Sequence, residues 1–106
     1  MSFNQYHEPV EELLGETRIF ARMIMSLIEE ADAINWYEQR ISVEADNEAK
    51  RVMAHAQKEE FIHFGMDLEL LLRRNPTWRT IMKNILFQKG DLVDLAEHSE
   101  DVVSDE

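Results

Sequence analysis

Apolar side chains recur at intervals of three and four residues over two long stretches of this chain, and that spacing predicts helices. In the first stretch, from Val10 to about Ile41, the residues Phe20, Ile24, Leu27, Ala31, Ile34 and Ile41 follow this rhythm. Glu11, Glu12 and Glu16 gather near its positive N-terminal end. Gly15 lies inside the stretch as a mild interruption, costing up to ~1 kcal/mol relative to alanine. Ser42-Val43-Glu44-Ala45-Asp46-Asn47 breaks the pattern and offers Asp46 or Asn47 as the next N-cap. A second helix is predicted from about Glu48 to Arg74, with Val52, Met53, Ala56, Phe64, Leu68, Leu71 and Leu72 as its apolar face. Asn75-Pro76 closes it, because the residue before a proline disfavours the helical region. The same pair suits the N-cap and first position of a third helix, which carries Trp78, Ile81, Met82, Ile85 and Leu86 until Gly90 ends it. Asp91–His98 has room for a short helical turn, and the acidic stretch Ser99–Glu106 lacks a core pattern and reads as a disordered tail. The expected organisation is one domain over residues 1–98 followed by the tail 99–106.

Two long helices joined by a short break predict an antiparallel hairpin. With the turn centred near Ala45, residues whose numbers sum to about 90 lie level. Glu30 and Glu60 do so, each about 22 Å from the turn at the rise of an α-helix. One hairpin leaves half of its apolar surface uncovered, so packing alone calls for a partner. The fold class is therefore all-α: a two-helix hairpin with a shorter C-terminal helix, two copies of which would dimerise into a four-helix bundle.

Composition narrows the function. The chain has 106 residues, no cysteine and a formal net charge of −11, which rules out thiolate metal sites and argues against nucleic acid as a partner. No apolar run approaches the ~20 residues that span a bilayer, and the N-terminus has neither part of a secretion signal, so a cytoplasmic location is expected. Residues 1–49 carry 11 acids and 3 bases, residues 50–89 carry 4 acids and 8 bases, and residues 90–106 carry 7 acids and no base. Such a distribution serves solubility, or it concentrates cations.

The candidate chemistry sits on the second helix. Glu60 and His63 stand at i and i+3, the Glu-x-x-His arrangement with which four-helix carboxylate proteins hold paired iron or manganese ions. With 15 Glu and 4 His the motif is expected about 0.6 times by chance, so only its context gives it weight. Glu30 supplies that context, since it interrupts an apolar stripe formed by Met23, Leu27, Ile34 and Tyr37. Burying two facing carboxylates is costly, and a divalent cation with a neutral imidazole beside it offsets the cost. The competing reading pairs both glutamates with Arg22, Arg51 or Lys58, or leaves them wet at a boundary. A full carboxylate-bridged site needs two lone glutamates and two Glu-x-x-His motifs, whereas one chain offers one of each. A two-fold neighbour would complete the set.

Further segments extend the pattern: His7-Glu8-Pro9, Glu29-Glu30-Ala31-Asp32-Ala33-Ile34-Asn35-Trp36-Tyr37-Glu38-Gln39-Arg40, Ala54-His55, Glu59-Glu60 through His63, and Leu72-Arg73-Arg74-Asn75. Over about residues 6–90 the chain resembles the encapsulated ferritins, ferritin-like iron oxidases found with encapsulin nanocompartments. The resemblance implies a homodimer with two iron ions per dimer (calcium, manganese or zinc substituting in the structure), and a ring of five dimers. It implies Glu30, Glu60 and His63 as iron ligands, with Tyr37 and Trp36 beside them. Glu29 and Asp32, with Trp36, match the carboxylates through which metal enters, an aspartate standing where glutamate is usual; a solvated acidic face is the plainer account. His55 and Glu59 match two residues of an outer metal site, but Ile62 occupies the third position, which leaves at most a weak site. The final residues, Glu100-Asp101-Val102-Val103-Ser104-Asp105-Glu106, lack the Gly/Leu-rich peptide that docks family members in an encapsulin shell.

The expected function is a ferroxidase that oxidises Fe(II) with oxygen or peroxide and supplies iron for mineralisation in an encapsulin compartment. A non-redox helical assembly bridged by calcium, zinc or manganese is the main alternative. A plain helical module with an ion-paired interface is the other.

Overall fold

A computed structural model describes residues 5–104. Their contacts divide into two units, one extending through Glu69 and the other beginning at Leu70. The architecture is all-α, and none of the described helices is long and apolar enough to cross a membrane.

In the first unit the leading helix starts later than its apolar rhythm predicts. A 3₁₀ turn at Val10–Glu12 comes first, with the Leu13 N–H and Arg18 Nε both donating to the Val10 carbonyl at 3.2 and 3.0 Å. Leu13 and Leu14 are extended, and α1 then runs Gly15–Val43. Gly15 is thus the first helical residue rather than an interruption, which places a poor helix former where its cost is least. Beyond α1 the Asp46 N–H donates to Glu44 Oε1 at 3.1 Å, and Asp46 Oδ2 accepts from the Ala49 N–H at 2.8 Å. Asp46 therefore caps α2, which spans Asn47–Arg73 and across which the unit boundary falls.

The two helices run antiparallel, as their side-chain pairing shows. Gln57 on α2 donates from Nε2 to the Ile34 carbonyl at 3.2 Å and to Glu38 Oε2 at 3.3 Å. Ten residues further along α2, Asp67 meets Glu30, earlier on α1. Gln57 is only 8 % exposed, so its removal leaves partners of a buried amide behind. Gln57→Ala is expected to cost about 1–3 kcal/mol, read as a lower urea midpoint, and an unchanged midpoint would show that this bridge does not hold the hairpin.

The hairpin buries little apolar surface. Within the first unit Leu27 is the single buried apolar side chain among the described residues, while Trp36, Val52, Phe61, Ile62 and Met66 are between 49 and 66 % exposed.

In the second unit, Leu71 and Leu72 are buried at 2 and 8 % exposure. Asn75 caps α3, Pro76–Lys83, by accepting from the Trp78 N–H at 2.9 Å, with Pro76 in its first turn. The helix ends at Asn84, well before Gly90, because the Asn84 side chain donates back to the Thr80 carbonyl at 2.8 Å and the chain turns through Phe87 at φ 60°. Gly90, at φ 123°, takes the left-handed conformation that a side chain disfavours. Asp91 Oδ1 then accepts from the Val93 and Asp94 N–H groups at 3.0 and 3.1 Å, starting α4, Leu92–Ser104, which packs on α3.

This last helix is longer than the short turn expected at Asp91–His98, and Ser99–Ser104 is helix where a disordered tail was expected. Leu95, Ala96, Ser99, Val102 and Val103 are its less exposed positions, with Ser99 at 2 %. Their spacing is helical, but its smallest members are a serine and an alanine, so hydrophobicity alone hides it. Residues 105–106 of the expected tail lie outside the described residues.

Candidate metal centre

Glu60, His63 and Asp67 occupy α2 at i, i+3 and i+7, within about 60° of one another around the helix. His63 Nδ1 lies 3.5 Å from Glu60 Oε1, and their side chains are 49 and 24 % exposed. Glu30 faces this row from α1. Its Oε2 and the Oδ2 of Asp67 are both shut off from solvent without a hydrogen-bond partner when the two groups are ionised. Neither Glu30 nor Glu60 pairs with Arg22, Arg51 or Lys58 among the described residues. Among the described residues, the ion pairs of the competing reading do not form.

Burial pushes the Glu30 carboxyl up to about 7, aided by a hydrogen bond to Asp67 and by the negative charges of Asp67 and Glu60, against a smaller lowering by His63. The hydrogen bond needs a proton on one of the two carboxyls, since two carboxylates offer each other only lone pairs. Metal-free protein is therefore expected to lose stability as pH rises. An ordinary glutamate here titrates at 4.5 and the folded Glu30 at about 7, so between those values the fold holds a proton that the unfolded chain has released. The stabilisation is complete below about 4.5 and is lost as pH rises through about 7. Urea midpoints of chelator-treated protein should fall across this window, and Glu30→Gln should flatten the fall. Parallel curves for the two proteins would exclude Glu30 as its source.

Among the described residues, no ion pair joins the other residues singled out in the sequence to this row. Glu29, Asp32 and Trp36 are exposed on another side of α1, and Trp36 borders an open depression with Gln39 and Arg40. Tyr37 is half-buried, with the Arg40 guanidinium 5.6 Å from its ring centre. His55 Nε2 and Glu59 Oε1 are 3.7 Å apart, on side chains 75 and 49 % exposed. Ile62 is 49 % exposed and offers no donor to them.

Sequence reasoning missed Asp67. It stands one turn beyond His63 on the same face, a signal that the four-residue Glu-x-x-His pattern is too short to include. Oxygen donors with one imidazole suit ferrous, ferric, manganous or zinc ions. The donors of one chain do not close around a point, however: among the described residues no group of three or more His, Asp or Glu is placed to hold an ion.

The profile of the EncFtn-like family matches residues 5–89. A ferritin-like protein of Thermotoga maritima is 38 % identical over 96 residues, covering 91 % of this chain and 84 % of its own length. The encapsulated ferritin-like protein of Rhodospirillum rubrum is 38 % identical over 91 residues, 86 % of this chain and 65 % of its own length. Among solved structures, a protein from Nitrosomonas europaea matches with a TM-score of 0.80 at 38 % identity, over 84 % of this chain and 98 % of that one.

Proposed function

This chain belongs to the EncFtn-like family, and from that premise we propose that two copies build one iron-oxidising centre, each contributing Glu30, Glu60 and His63. One observation supports this above the others: a buried carboxylate oxygen without a partner faces a Glu-x-x-His row whose own donors do not enclose an ion. A two-fold neighbour would double the row and supply the missing half. Packing points the same way, because Val52 and Met66 border Glu59 and His63 on one edge of α2 and are 65 and 66 % exposed. So small a core leaves much apolar surface of the hairpin for a partner to cover.

Iron is the substrate. Two ferrous ions each give up one electron; dioxygen takes both with two protons and leaves as hydrogen peroxide, or hydrogen peroxide takes both with two protons and leaves as two waters. The chain's residues hold the ions side by side and keep the coordinating oxygens ionised, and anionic oxygen favours the more highly charged ferric product. Tyr37 stands on the Glu30 face, two turns along α1. Glu29, Asp32 and Trp36 form the outer route by which cations arrive, and His55 with Glu59 forms a weak outer site. Five such dimers in a ring complete the assembly. Its ferric product passes into an encapsulin compartment in the cytoplasm, a role in keeping with the name of the Rhodospirillum rubrum relative.

Anaerobic titration with Fe(II) tests this directly. The chain should take up about two ions per dimer, the stoichiometry of a carboxylate-bridged pair, and near-ultraviolet absorbance should grow on adding oxygen. Iron that oxidises no faster than in buffer would reject the ferroxidase and leave the metal-bridged scaffold.

A further inference from the structure

Asp67 has no part in the centre as drawn above, yet its carboxyl lies within hydrogen-bonding reach of the Glu30 carboxyl. The two carboxylates present their solvent-free oxygens, Oδ2 of Asp67 and Oε2 of Glu30, without a protein donor for either when both are ionised. No lysine or arginine ion pair accompanies them among the described residues. An amide at position 67 would have satisfied Glu30 with an N–H, had the pair been needed only for packing. A second acid there instead leaves two oxygens that a cation satisfies.

Building on the shared centre, we propose that Asp67 is a fourth cation-binding donor of each chain, placing a carboxylate oxygen on the same ion that Glu30 holds. Its place on α2 fits that role. Glu60, His63 and Asp67 climb one face in steps of three and four residues, so Glu30 reaches the upper end of the row while Glu60 occupies the lower. A dimer then presents six acids and two histidines rather than four acids and two histidines. The two added negative charges bind any divalent ion more tightly and favour ferric over ferrous iron.

A proton shared between Glu30 and Asp67 satisfies the same two oxygens, and it predicts the opposite effect of mutation, because a proton competes with metal. Calorimetric titration of the full chain with Mn(II), which needs no oxidation, separates the two. With Asp67 as a donor, Asp67→Asn weakens manganese binding on the order of 10- to 100-fold, and Asp67→Glu restores most of it. Asp67→Asn protein that binds manganese as tightly as the parent, or more tightly, overturns the proposal. Glu60→Ala serves as the reference: if it loses manganese while Asp67→Asn does not, Asp67 alone is wrongly assigned. If the parent itself binds none, the shared centre fails with it. Should Asp67→Asn not fold, crystals of the parent soaked in manganese decide. An anomalous peak at coordination distance from an Asp67 oxygen supports the assignment, and the lack of one overturns it.

Discussion

Glu60→Ala protein is expected to oxidise ferrous iron no faster than buffer. Glu60 belongs to the row that faces Glu30, and its carboxylate is three-quarters shielded, with a side chain 24 % exposed. In a centre shared across a two-fold axis, one substitution would remove two carboxylates. Their loss withdraws charge from the site where ferric charge would be stabilised, and the acids that remain in the row, Glu30 and Asp67, have donor roles of their own in the proposed centre. His63→Ala should be milder, a strong slowing rather than abolition, because an imidazole adds affinity without adding negative charge. Stopped-flow absorbance on aerobic mixing reads both variants against the parent. Parental rates in both would dismiss these residues as ligands. If both lost metal while the parent proved equally inert toward iron, the non-redox scaffold would be the better account.

The second large effect tests the sharing of the centre rather than its ligands. Met66→Arg combined with Val52→Arg leaves every proposed donor in place but puts cations on the apolar edge beside His63. Burying an unpaired charge in an interface costs several kcal/mol, enough to separate a dimer joined through that edge. Light scattering should then report a monomer, and oxidation should fall to the buffer rate although Glu30, Glu60 and His63 are intact. A monomer that still oxidised iron would place a complete site within one chain.

Much of this was legible in the sequence because it depends on short-range chemistry. The apolar rhythm of α1 and α2, the aspartate before α2 and the Asn75-Pro76 pair each act within a turn or two, and the helices form where these signals stand. The start of α1 was less legible, because Val10, Leu13 and Leu14 fit a helix by hydrophobicity while the Arg18 side chain ties the Val10 carbonyl into a separate turn. The length of α4 was obscured by Ser99, a polar residue whose small hydroxyl donates to the Ala96 carbonyl at 2.7 Å and so can be buried. Asp67 was hidden for another reason. Its importance comes from what α1 places opposite it, and no pattern confined to one helix contains that information.

The half-open flank of His63 carries one further consequence. The proposed division of the centre between copies would obey mass action: below the dissociation constant of the pair, turnover would rise with the square of chain concentration, and a newly made subunit would be inert. Dilution alone would silence it. Ferrous iron would then meet an oxidising surface only where the protein is crowded, and stray chains would make no peroxide.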